Sequence, residues 1–481
     1  MTLRTAMLTA ILLASTTAAA VLAEPKGDGP AVVPAAAAAD ARGDAALQAG
    51  NYGEAVRDYD QAVRQAPGVS GYLADRGDAR RANGEYDGGI ADLTAAIAMD
   101  PKQAWYYVAR GRAHAGKGEK DLAKADYDAA LKIDSNNTTA LYYRAMWLEN
   151  GNDHVGALAD INRAIKLAPT DADALEERGD IYVDLKRSDE GLADFSAALK
   201  LDPRNYYALR GRAGVDYDRA DWAVAALHYD AALLIYPKDA GIHALRGRVL
   251  AKLGMQDRAR SDLDEAVRLD PSNTSVLYDR AAWETDQGQT EAAIRDYATI
   301  TKLAPNDADG WRSLSDAYRE RRKFKEAMGA ADRGLHLAPD DVGLLVAHGL
   351  ANWGLSQYDI AKADYDHALR VDPKSDAALF DRALVLAQQH HGDLAIRDLD
   401  AALAITPDDE QTIEELGEVY LGIDDYIQAE TELTRAIALK PGDSQAHRNR
   451  AAALRKLGDE AGAAADETEA ARLEGKTGAA R

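Results

Sequence analysis

His390 and His391 are the one adjacent histidine pair in the sequence, and such a pair is the first place to look for a metal. On a helix neighbouring side chains point about 100° apart, so one ion cannot take a nitrogen from each, and the pair reads as part of a solvated turn. The chain has no cysteine, which removes thiolate metal sites, disulfides, lipid-bearing cysteines and a cysteine nucleophile. The phosphate-cradling loop GxxxxGKS/T, the zinc helix HExxH and the serine elbow GxSxG are also missing. Carboxylates abound, with 80 Asp and Glu against 57 Lys and Arg and a formal charge of −23. A chain this acidic repels nucleic acid and anionic lipid surfaces. Its carboxylates recur at fixed places that need no acid–base chemistry. The expectation is a protein that is not an enzyme, with no catalytic residues, no cofactor and no metal.

A strict period sets the elements that carry these side chains. Beyond residue 35 the prolines are Pro67, Pro101, Pro169, Pro203, Pro237, Pro271, Pro305, Pro339, Pro373, Pro407 and Pro441, each 34 residues apart except for one interval of 68 with Ser135 at its midpoint. The implied units start at 36, 70, 104, 138, 172, 206, 240, 274, 308, 342, 376, 410 and 444, fill residues 36–477 and leave 478–481 as a tail. An uninterrupted period of this length marks a solenoid rather than three globular domains. With proline at position 32, position 8 is always small, from Gly43 and Gly77 through Ser315 to Ala451. Position 20 is Ala or Gly, and position 27 is Ala apart from Ile300 and Gly334. Three small columns require two helices that cross closely, and they explain why 47% of residues are apolar but only 6% aromatic. Larger residues at position 24, such as Tyr59, Leu93, Phe195 and Tyr365, read as core.

Proline at 32 is expected to end the second helix. Position 34 is expected to cap the next first helix, through Asn137, Asp171, Asn205, Asp239, Asn273, Asp307, Asp341, Ser375, Asp409 and Asp443. Arg at 7 recurs with Asp at 23, nine units having both, among them Arg76 with Asp92, Arg246 with Asp262 and Arg382 with Asp398. These read as structural ion pairs between the two helices of a unit. The ninth unit loses both at once, with Leu314 and Ala330.

The full column pattern is a large residue at 4 (Leu73, Tyr107, Leu141, Trp311, Leu345), small at 8, aromatic at 17 (Tyr52, Tyr86, Trp222, Phe324, Tyr358, Tyr426), Ala at 20 and 27, and Pro at 32. It resembles the tetratricopeptide repeat. The resemblance implies an all-α fold, an α-solenoid wound as a right-handed superhelix of about thirteen helix-turn-helix repeats. It also implies that positions 2, 5, 9, 12 and 13 of helix A line a groove that binds extended segments of other proteins. On this sequence those positions give Trp105, Val108, Arg112, Tyr142 and Met146 in repeats 3 and 4, and Tyr207, Arg210, Tyr217 and Arg248 in repeats 6 and 7. Aromatics beside arginine have the composition of binding anchors. Asp173, Glu176 and Asp180 in repeat 5, with Glu414 and Glu418 in repeat 12, are acidic steps for basic groups of a partner or are solvated faces. No repeat joins Lys at 5 to Asn at 9, so the family's clamp for a C-terminal carboxylate is not expected.

The N-terminus has a basic start at Met1 to Arg4, an apolar run from Ala6 to Leu22 and small residues up to Ala23, the order of a secretory signal peptide over residues 1–23. A Pro/Ala-rich linker fills 24–35. The expectation is an exported, periplasmic or secreted protein that stays out of the membrane once the signal is cleaved. It would act as a non-catalytic protein-protein interaction scaffold or adaptor of a bacterial-type cell envelope. The alternative is a scaffold for envelope polysaccharide export or glycan binding, with Trp105, Tyr142 and Tyr207 stacking on sugar rings. Stacking of the end repeats leaves self-association open.

Overall fold

The computed structural model describes residues 33–478, with side chains through residue 475. The expected signal peptide 1–23, linker residues 24–32 and residues 479–481 lie outside the described residues. Among the described residues there are 26 helices, from Pro34–Gln48 to Glu460–Gly478, and no strand. None of these helices is long and apolar enough to cross a membrane. The chain divides into two compact units, one ending at Asp262 and one starting at Leu263. Within each, a helix A packs on its own helix B, and helix B packs on the helix A that follows. Both units are therefore all-α solenoid.

The first helix begins at Pro34, so it takes Pro34 and Ala35 from the end of the expected linker. Proline fits there because the first turn has no use for its missing N–H. The last helix runs on to Gly478, into the expected tail, past Gly475 where other repeats have proline. Proline is not what ends helix B elsewhere. In repeat 3 Ser135 stands in its place, and the helix still stops at Ile133. There Asp134 turns extended and accepts the Asn136 N–H at 2.9 Å. Nine of the ten cap residues accept a backbone N–H of the first turn, for example Asn137 from Ala140 at 2.9 Å. Asp307 makes no side-chain cap bond, and its carboxylate accepts the Tyr278 hydroxyl at 2.7 Å.

The turn between helices has one feature that composition hides. Position 15 has a positive φ in all thirteen repeats, as Gly50, Gly84, Gly118, Asn152, Lys186, Ala220, Gly254, Gly288, Arg322, Ser356, His390, Asp424 and Gly458. His390 is thus a left-handed turn residue, and His391 is the N-cap of the following helix. A side chain at such a φ costs about 1–2 kcal/mol that glycine avoids.

The Arg–Asp ladder ties repeats as well as helices. Arg76 donates through Nε and Nη2 to both oxygens of Asp92 at 2.8 and 2.7 Å, and through Nη1 to Asp60 of the preceding repeat at 2.7 Å. The same three bonds recur around Arg144, Arg246, Arg280 and Arg382. Arg178 reaches Asn162 with its third nitrogen, Arg110 reaches Thr94, and Arg450 reaches Thr434. For these eight arginines the third acceptor is the residue at position 25 of the preceding repeat, whereas Ser196 in repeat 5 donates to the Leu192 carbonyl and Ala298 in repeat 8 has no acceptor to offer. In repeat 10 His348 replaces arginine, its Nδ1 lying 2.8 Å from Asp364. In repeat 6 the partner of Arg212 is lost to His228, whose Nδ1 instead lies 2.9 Å from Asp216.

Two predictions test these features. Ala220→Gly should raise the stability of the chain by about 1 kcal/mol and Gly254→Ala should lower it by a similar amount, read as opposite shifts of the thermal midpoint. Arg246→Ala, Asp262→Ala and the double change should be non-additive by about 1–2 kcal/mol; strictly additive losses would remove the pairing argument.

Candidate functional site

The helix A face places the groove residues in two groups, both in the first unit. In repeats 3 and 4, Trp105 meets Tyr106 edge-on at 4.6 Å between ring centroids, and Tyr142 meets Tyr143 edge-on at 5.2 Å. Arg112 lies 5.0 Å from the Tyr143 ring centre, with Nη1 3.8 Å from Asp78. Asp78 also accepts Arg81 Nε at 2.6 Å. Burial alone would raise the Asp78 carboxyl, but Arg81 and Arg112 outweigh it and hold the group down at about 2. Met146 is half-buried beside them. Val108 is not open to the groove: it is 4% exposed, packed with Ala130 and with Ala140 of the next repeat, whereas Tyr142 and Arg210 at the same position of their repeats are half-buried.

The second group spans repeats 5 to 7. Tyr207 and Arg210 pair at 5.9 Å, and Arg248 lies 5.1 Å from the centre of the Tyr217 ring with Nη2 3.4 Å from its hydroxyl. Between them is a cleft of about 320 Å³. Gly211, Gly214 and Val215 are its floor, Val183, Tyr229 and Leu245 its apolar walls, and Asp180, Arg210, Asp218 and Arg248 its charged rim. Val215 and Tyr229 belong to the buried core, so the cleft has a rigid base. Gly214, Asp218 and the walls were not among the sequence candidates. The signal that marks them is that Gly214 is the single glycine among the thirteen residues at position 9.

Repeat 5 supplies an acidic wall. Glu176 is 6% exposed, and burial followed by the charges of Asp180 and Glu177 pushes its carboxyl well above the usual range, against the pull of Arg210. Asp173 adds to this push and accepts Asn205 Nδ2 at 3.0 Å. Burial, then Glu177 and Glu176, raises the nearby Tyr142 hydroxyl. Tyr207 is pushed up to about 12, chiefly by burial. Of the acidic residues of repeat 5, Glu176 and Glu177 are thus buried, while Asp173 and Asp180 are half-buried.

In repeat 12, Glu410, Glu414 and Asp443 have carboxylate oxygens within 4.8 Å of one another. Burial, then Asp443 and Glu418, pushes Glu414 to about 7. Lys440 Nζ lies 3.3 Å from Glu410 and 2.8 Å from Asp443, so a lysine ammonium already supplies the positive charge of this cluster. Glu418 instead accepts Asn449 Nδ2 at 2.5 Å.

A family model described as tetratricopeptide repeat matches residues 17–70, 41–104, 74–136, 108–172, 176–240, 215–274, 284–342, 346–410 and 415–476. The human mitochondrial import receptor subunit TOM70 is 25% identical over 176 residues, which are 35% of this chain and 29% of that protein. Human DnaJ homolog subfamily C member 7 is 27% identical over 184 residues, 35% of this chain and 37% of that protein. The chain therefore spans well under half the length of these curated relatives. Among solved structures, the APC/C hetero-tetramer Cut9–Hcn1 matches with a TM-score of 0.46 and 16% identity over 87% of this chain and 96% of that one.

The raised Glu176 carboxyl has a pH consequence. The folded chain keeps a proton that the unfolded chain has released, so stability falls as pH rises from the ordinary carboxyl range, about 4.3, through the folded value. Asp173, Glu177, Asp180, Arg210 and the Tyr142 and Tyr207 rings surround this group. Glu176→Gln should raise the thermal midpoint at pH 8 and change it much less at pH 4, measured by circular dichroism.

Proposed function

The chain belongs to the tetratricopeptide-repeat family, and on that premise we propose that it is a non-catalytic protein-interaction scaffold that holds extended segments of other proteins along its helix A faces. The observation that carries this reading is that the candidate anchors are already fixed before any partner arrives. Arg112 rests over Tyr143, Arg210 over Tyr207 and Arg248 over Tyr217. Side chains held this way lose little freedom on binding, so more of each contact remains as affinity.

We place the protein outside the cytoplasm, as an adaptor of a bacterial-type envelope. The support is the basic, apolar and small-residue order of residues 1–23. Glycan binding is the weaker alternative. Trp105, Tyr142 and Tyr207 each have a neighbouring tyrosine ring set edge-on against them, which leaves less open face for a sugar.

The test is a screen of unstructured peptides and a glycan array against the full chain. Peptides should bind in the micromolar range, and Trp105→Ala with Met146→Ala should weaken them at least tenfold in a chain that circular dichroism shows still folded at the assay temperature, although its melting temperature falls because Trp105 packs on the core. Peptide binding indifferent to the double change, or binding confined to glycans, overturns the reading.

A further inference from the structure

The cleft of repeats 5 to 7 contains two glycines with different reasons to exist. A Cβ on Gly211 would come within 2.6 Å of the Phe195 ring, so packing demands glycine there. A Cβ on Gly214 would meet nothing within 4 Å. It lies inside the helix Tyr206–Asp218, where glycine costs about 1 kcal/mol relative to alanine. No steric requirement of the fold offsets that cost. What glycine does preserve at this position is open volume, on the face where other repeats have Asp, Arg, Met, Ala, Leu or Glu.

We propose that this volume seats one aromatic side chain of an extended partner segment, over Gly214 and between the guanidinium groups of Arg210 and Arg248. The inference rests on reading the helix A face as a binding face. The cleft's size, about 320 Å³, suits an aromatic ring with part of its backbone. Its rim decides the chemistry. A cationic anchor meets Arg210 and Arg248, an anionic one meets Asp180 and Asp218, and either loses its hydration over the apolar walls of Val183, Tyr229 and Leu245. A neutral ring avoids both penalties. It also offers its negative faces to the two arginines, which are already seated on the rings of Tyr207 and Tyr217. The incoming ring extends an existing alternation of guanidinium and aromatic groups.

The experiment uses the full chain and N-acetyltryptophanamide as probe, with the matching lysine and aspartate amides as controls, followed by ligand-observed NMR. The tryptophan amide should bind saturably with a dissociation constant on the order of 1 mM, a modest value for a fragment of this size. The controls should bind at least tenfold more weakly. Gly214→Leu fills open space with a better helix former, so its melting temperature should hold or rise while probe binding falls at least tenfold. Arg248→Gln leaves the volume open but removes one guanidinium, and should weaken the probe at least threefold. Probe binding unchanged in both variants, or a lysine or aspartate amide that binds as well as the tryptophan amide, overturns the proposal. The two readings can fail separately. A failed probe leaves peptide binding by repeats 3 and 4 untouched, and a failed peptide screen leaves the probe result standing.

Discussion

The distance at which the two helices of a repeat cross governs everything else in this protein. At Gly77 an added Cβ would lie 2.8 Å from Leu93 and 3.0 Å from the carbonyl oxygen of Gly89. At Gly43, Gly111, Gly179, Gly349 and Gly417 it would strike the large residue at position 24 of the same repeat at 2.5–2.7 Å. A Cβ at these six glycines would therefore push the pair apart, and the other repeats keep position 8 no larger than Ala or Ser. The ninth repeat supports the rule from the other side. Its position 24 is the small Ala331, and position 8 is Ser315, whose hydroxyl donates to the Ala327 carbonyl at 2.8 Å. Close crossing of many short helices also explains the core. It consists of repeated small clusters of alanine with one or two larger side chains, never a single mass of large residues.

A crossing this tight leaves little room for apolar contact at its flank, and the Arg–Asp ladder occupies that flank. The carboxylate at position 23 is buried in most repeats, and a buried carboxylate needs a partner with good geometry. Arginine at position 7 supplies two donors to it and keeps a third for the preceding repeat, which a lysine could not do with the same geometry. In repeat 9 both halves of the pair change together. Leu314 and Ala330 in repeat 9 are both 5% exposed, an apolar exchange that leaves no charge stranded. Repeat 6 is different: Arg212 faces His228, and the same repeat carries the glycine that opens the cleft.

Much of this was legible from a single chain. The period, the small columns, the two-helix unit and the pairing of positions 7 and 23 follow from spacing, because each is a contact inside one repeat and recurs thirteen times. The third bond made by eight of these arginines was not legible, since position 25 varies among Asp, Asn, Thr, Ser and Ala and acts across a repeat boundary. The burial of Val108 and of Glu176 was missed for the same reason: position 5 is judged by what the next repeat puts against it. Asp307 matches the other cap residues in type and position, yet it makes no cap bond, and its carboxylate accepts the hydroxyl of Tyr278, nearly a full repeat earlier.

The sequence by itself determined the two-helix unit, its 34-residue period and the exclusion of thiol and familiar motif chemistry, because these depend on residue type and periodic spacing alone. Only the tertiary structure decided which helix A residues are available to a partner. Availability depends on how one repeat covers the next, and that cover changes with each neighbour's side chains. So it closed Val108, buried Glu176 of repeat 5, and left a gap above Gly214 that a string of letters shows only as one glycine among many.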